Sequence, residues 1–131
     1  MNVSIANLQN KFPIPQNKIT RLVIKAAKHL KLKREELSVV FVGRQRMRTI
    51  NRTHLKHDYV TDVITFDYKT SGEIIICPSV ASSNARRFDS SLERELLLYV
   101  VHGLLHLAGY DDHAPADIAR MRAKEEELMR L

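Results

Sequence analysis

His102 and His106 stand four residues apart in the segment HGLLHLAGYDDH, residues 102–113. On an α-helix that spacing puts both imidazoles on one face, one turn apart. The residues between and around them are apolar, Leu104, Leu105 and Leu107 among them. A helix so apolar has few reasons to carry two titratable rings, and a metal is the best of them. Zinc takes neutral imidazole nitrogen at roughly 2.0–2.1 Å, and catalytic zinc sites commonly use three protein ligands plus one exchangeable position. Gly109 can adopt the left-handed conformation that ends a helix and reverses the chain. His113 then has a route back to the same point, so the expected metal set is His102, His106 and His113. Asp111 and Asp112 are near enough to be rival ligands, or to orient a histidine.

The residue after the first histidine also matters. A metalloprotease of the HExxH type places its general-base glutamate there, and here the position is Gly103. A peptidase reading therefore lacks its base. Glycine inside a helix costs roughly 0.5–1 kcal/mol relative to alanine, which points to close approach of a neighbouring chain segment or of substrate, or to packing alone.

These side chains need a scaffold, and the pattern of apolar residues supplies one. Val3 and Ile5 alternate with polar neighbours, as in a strand. Ile19, Leu22, Val23, Ala26, Ala27 and Leu30 recur at the spacings of an amphipathic helix. Leu37 to Val42 is short and β-branched, and Arg44 to about His54 carries Met47 and Ile50 at helical spacing. Its other faces hold Arg44, Arg46, Arg48 and Arg52, equally suited to an RNA track and to a solvated face. Asp62 to Tyr68 and Glu73 to Cys77 read as a hairpin with Ser71-Gly72 in the turn. Pro78 can open a helix to about Phe88. Ser90 and Glu93 have the spacing of a capping box ahead of the histidine-bearing helix, whose apolar residues on nearly every side make it central. Pro115 opens a last helix with Ile118, Met121, Leu128 and Met129 inward. The order β α β α β β α α α predicts an α+β fold: a small mixed sheet of about four strands packed with helices. A length of 131 residues suits one domain over 1–131.

The chain carries 21 Lys and Arg against 15 Asp and Glu, a net charge of +6. A basic surface lowers the cost of approaching a polyanion. The lone cysteine, Cys77, forms no internal disulfide and sits after three isoleucines, as a core residue in a reducing compartment would. The opening residues contain no continuous apolar segment, and Leu96 to Val101 is too short to span a bilayer. A cytoplasmic protein without a membrane partner is expected.

The stretch HGLLHLAGYDDH resembles the signature of the YbeY family of bacterial rRNA maturation factors. INRTHLKHDYVTDVITF, residues 50–66, is similar to that family's second motif, and Glu73 to Ile76 to its following strand. The resemblance covers most of the chain, and the histidine motif is its specific part. It implies a single-strand-specific endoribonuclease that matures the 3′ end of small-subunit (16S) rRNA and acts in ribosome quality control. It implies a zinc held by three histidines, which carries onto His102 and His106 directly. It also implies RNA, the small ribosomal subunit, a ribosomal protein and a ribosome-associated GTPase as partners; DNA is not expected. The chain departs from the family twice. His113 lies one residue beyond the usual spacing, and counting without a gap places Asp112 there instead. Leu55 occupies the position of a family arginine, whose charge Lys56, His57 or an arginine of the same helix could replace. Asp111 is the candidate proton acceptor or orienting group, and Lys56 and His57 are candidate phosphate contacts. Asp62, with Thr61, is expected to fix the strand beside the site. The competing readings are a ribosome-assembly factor with a mainly structural zinc, and a peptidase or metal-dependent hydrolase of another substrate.

Overall fold

The computed structural model describes all of residues 1–131. Its elements follow the order β1 (Asn2–Asn7), α1 (Gln16–His29), β2 (Glu36–Phe41), α2 (Arg44–Leu55), β3 (Val63–Asp67), β4 (Ser71–Ile76), α3 (Pro78–Arg87), α4 (Leu92–Leu107) and α5 (Pro115–Met129). The four strands form one sheet in the order β1-β2-β4-β3. β1, β2 and β4 run parallel, and β3 is the antiparallel edge. This is the expected α+β arrangement with a mixed sheet.

The two faces of the sheet are covered differently, and the alternation of residues shows how. Leu37, Val39 and Phe41 of β2 and Ile74 and Ile76 of β4 point into the main core, where α1 and α4 pack. Ile64 of β3 and Ile75 of β4 point the other way, onto Met47 of α2. The isoleucine run of β4 is thus buried on both faces, as an interior strand requires. α4 is the central helix: Leu96, Val100, Val101, Leu104 and Leu105 are fully buried. No helix is long and apolar enough to cross a membrane.

Gly103 explains how α4 reaches the sheet. A Cβ built there would lie 2.8 Å from three carbons of the Ile74 side chain. The glycine is therefore a packing requirement: it lets the helix axis approach β4. Substrate is not what approaches it.

Three local expectations are corrected. Ser71 and Gly72 belong to β4, because they pair with Glu36 and Leu37 of β2; the turn is made by Lys69 in a left-handed conformation (φ 71°), its N–H donating to Asp67 Oδ1 at 2.8 Å. The N-cap of α4 is Ser91, whose Oγ accepts from Arg94 N at 3.1 Å, so the Ser90–Glu93 box does not form. Ile118 is 39% exposed, while Met121 and Leu128 are buried as expected.

Candidate metal centre and groove

Two elements and one turn build the site. α4 carries His102 and His106 on one face, their ring centroids 4.6 Å apart and their Nε2 atoms 3.0 Å apart. The helix then ends in a Schellman turn. Gly109, at φ +98°, donates its N–H to the His106 carbonyl at 3.0 Å, and Tyr110 donates to the Leu105 carbonyl at 2.9 Å. A side chain at Gly109 would be strained there, since the left-handed region costs most residues about 1–2 kcal/mol. Tyr110 packs against the core, and the chain doubles back.

The residue that this turn delivers to the histidines is Asp112. Its Oδ2 lies 3.4 Å from His102 Nε2 and 3.6 Å from His106 Nε2. Its N–H donates to Asp111 Oδ1 at 2.8 Å, which sets the backbone for that approach. The three ligand-type atoms form a triangle with edges of 3.0, 3.4 and 3.6 Å. Tetrahedral zinc with ligands at about 2.0–2.2 Å would separate its donors by about 3.3–3.5 Å. The donor set suits a zinc-like divalent cation, the His102–Asp112 edge already has that spacing, and shifts of a few tenths of an ångström would bring the other two edges to it. A proton on one imidazole can satisfy one edge of this triangle; a divalent cation satisfies all three.

His113, the expected third ligand, lines the groove beside these atoms but stays outside the triangle of His102, His106 and Asp112. Its ring points to Asp111 Oδ1 at 3.3 Å, and its side chain is 86% exposed. After the Schellman turn Tyr110 packs against the core and Asp111 turns to a smaller depression, so the side chain that reaches back to α4 is Asp112.

Glu125 of α5 completes the site. Its Oε2 accepts a 2.7 Å hydrogen bond from His102 Nδ1, and its Oε1 accepts one from Arg122 Nη1 at 2.9 Å. Glu125 is only 3% exposed. Burial pushes its carboxyl upward, but the hydrogen bonds from His102 and Arg122 and the Arg122 charge outweigh it and hold the group below its ordinary range. A carboxylate only accepts, so the His102 proton sits on Nδ1 and Nε2 turns its lone pair toward His106 and Asp112. This is the carboxylate–histidine arrangement that commonly orients metal-binding imidazoles. Sequence reasoning passed over Glu125, although an acidic residue four after Met121 and three before Leu128 lies on the inward stripe of α5.

The cluster opens onto a groove of about 700 Å³ between α4, α5 and the β3 edge. Tyr99 forms part of its wall. Burial raises its phenol to about 12, against a smaller opposing effect of the hydrogen bond that Asn84 Nδ2 donates at 2.6 Å. Tyr99 thus stays protonated at neutral pH. Arg34 ties the groove's far end together: its Nη2 donates to both oxygens of Asp67, at 3.1 and 3.0 Å, and to the Leu107 carbonyl at 3.3 Å. Asp62 also lines the groove. Its Oδ1 accepts from Val63 N at 2.7 Å and from Thr61 Oγ1 at 3.3 Å, at the start of β3.

The three expected catalytic residues lie outside this groove. Asp111 faces a smaller depression with Asp117 and Arg120. Lys56 ends α2 in a left-handed conformation (φ 62°), and His57 N donates to the Asn51 carbonyl at 3.2 Å. The His57 ring stacks on Tyr59 with centroids 5.5 Å apart. Leu55 does line the groove and is 43% exposed, so the end of α2 brings an apolar side chain to the site.

A family model described as Endoribonuclease YbeY matches residues 4–131. A protein of that name from Chlorobium luteolum is 45% identical over 98 residues, 72% of this chain and 72% of its own. Another, from Chlorobium phaeovibrioides, is 37% identical over 122 residues, 90% of this chain and 82% of its own. A solution structure of a Thermotoga maritima protein superposes with a TM-score of 0.69 at 27% identity, covering 96% of this chain and 88% of that one. With a match along nearly the whole sequence, the chain belongs to the Endoribonuclease YbeY family.

Proposed function

We propose that this protein is a zinc-dependent endoribonuclease that cuts single-stranded RNA, with ribosomal RNA of the small subunit as its substrate. The observation that carries the reading is the triangle of His102 Nε2, His106 Nε2 and Asp112 Oδ2 at the floor of an open groove. A zinc ion held there would supply Lewis acidity toward a phosphoryl oxygen and toward water.

The chain's own residues prepare that chemistry. Glu125 keeps the His102 proton on Nδ1, so the lone pair faces the groove. Asp111 braces the Asp112 backbone and acts through it. Tyr99 remains a neutral phenol and supplies a wall that takes no proton from substrate. His113, exposed at the groove's mouth, is free to meet RNA. Lys56 and His57, next to Leu55 in the chain and outside the groove, would be outer contacts to the RNA backbone. The net charge of +6 favours a polyanionic substrate.

A mainly structural zinc would be closed by four protein ligands. The three donors and the open groove support an exchangeable position instead. A peptidase is disfavoured because Gly103, where its base would stand, is packed on Ile74. Small-subunit rRNA, a ribosomal protein and a ribosome-associated GTPase as partners, quality control of ribosomes and a cytoplasmic location belong to the same reading.

The test is cleavage of single-stranded rRNA fragments by protein of verified zinc content. Wild type should cut, and His106→Ala should lose at least about 100-fold in rate, the order of a lost electrostatic contribution to the transition state. Equal cleavage by the two would assign the activity to a contaminant.

A further inference from the structure

We propose that Arg122 forms a phosphate subsite in the groove, taking a backbone phosphodiester next to the one that is cut. The proposal rests on the RNA reading above and adds to it a residue outside the metal cluster.

The argument starts from charge. Four carboxylates line the groove: Asp62, Asp67, Asp112 and Glu125. Arg122 is the only lysine or arginine that lines it. Arg34 neutralises Asp67 from behind, but its guanidinium is occupied by Asp67 and the Leu107 carbonyl and its side chain is 16% exposed. A divalent cation at the histidines would offset two more negative charges. The groove reaches neutrality only when Arg122 is counted, and a polyanion entering it meets no other permanent cation on its walls.

Geometry then separates Arg122 from an ordinary surface ion pair. Its Nη1 donates to Glu125 Oε1 at 2.9 Å, while Oε2 of the same carboxylate holds His102 Nδ1 at 2.7 Å. One buried carboxylate therefore fixes the guanidinium at a set distance from the metal donors. The Arg122 side chain is still 66% exposed. A guanidinium has five N–H donors in a planar fork suited to phosphate, and Glu125 engages one of them. The remaining donors are free for phosphodiester oxygens. Bound there, the phosphate would set the register of the strand across the zinc position.

The test uses zinc-loaded full-length protein, a short single-stranded oligoribonucleotide for cleavage, and its 2′-O-methyl analogue for binding by fluorescence anisotropy. Arg122→Gln should raise KM and the analogue's Kd by about tenfold and reduce the salt slope of binding by about one. Because Arg122 also holds Glu125, both RNA readouts are taken at saturating zinc, where the rise in KM and the fall in salt slope should persist. Arg122→Lys should keep the salt slope while KM rises several-fold, because charge survives and the fork does not. Unchanged KM and salt slope in Arg122→Gln would overturn the proposal. So would a loss of zinc affinity with RNA binding unaltered, since that marks a residue serving Glu125 alone. If Arg122→Gln does not fold, Arg122→Lys decides: an unchanged KM overturns the subsite. Failure of wild type to cut RNA would instead strike the endoribonuclease reading, and the analogue's binding would still report on Arg122.

Discussion

At the scale of single residues, the site depends on which side chain the chain reversal delivers to the two histidines. The sequence makes the pair plain, because four-residue spacing on an apolar helix is unambiguous about face. It does not decide among Asp111, Asp112 and His113. That choice depends on the two hydrogen bonds of the turn, from Gly109 and Tyr110, which spacing alone does not encode. Asp112→Ala should therefore weaken zinc binding more than any other change outside the histidines, and His113→Ala should leave it within about twofold; competition titration with a chromophoric chelator reads both. Glu125→Gln keeps the shape but removes the charge that orients His102. Changes of this kind typically cost roughly 10–100-fold in metal affinity, and the same titration checks it. The signal for Glu125 was present in the sequence as one acidic residue on the inward stripe of α5. Without a structure nothing says which buried donor it meets.

At the scale of elements, α4 must lie close to β4 for its histidines to face the groove, and Gly103 sets that distance. Gly103→Ala gains helix propensity of about 1 kcal/mol but forces a methyl into Ile74. Overpacking of this kind costs about 1–3 kcal/mol, so the variant should melt lower than wild type. Adding Ile74→Val should recover part of the loss, as thermal unfolding of the double mutant would show. Tyr99 gives a pH signature for the α3–α4 contact. Its folded phenol titrates near 12 against an ordinary value of 10, so the unfolded chain ionises first. Its stabilising contribution is complete below pH 10 and is lost as pH rises from about 10 to 12. Tyr99→Phe should remove that step from the stability–pH curve, and its lost hydrogen bond to Asn84 should cost about 1 kcal/mol at neutral pH. Element order was legible because apolar spacing reports period directly. The N-cap was not, because Ser90 and Ser91 are adjacent candidates and the Arg94 N–H selects between them.

At the scale of the whole molecule, one helix buried on most sides carries the two histidines, and a neighbouring helix holds one of them through Glu125. The open groove lies where both meet the edge strand. The placing of the histidines and the packing of the core are thus the same construction, and the central helix is legible as central from its leucines and valines alone. Leu55 shows where sequence reasoning stops: its position in a motif suggested a missing charge, and only the structure shows that α5 brings Arg122 to the same groove. The central claim is that His102, His106 and Asp112 hold one divalent cation. Anomalous diffraction at the zinc edge from zinc-loaded crystals tests it directly. The account predicts a single peak about 2.0–2.2 Å from His102 Nε2, His106 Nε2 and Asp112 Oδ2. A peak bound through His113 in place of Asp112, or none beside the two histidines, would contradict it.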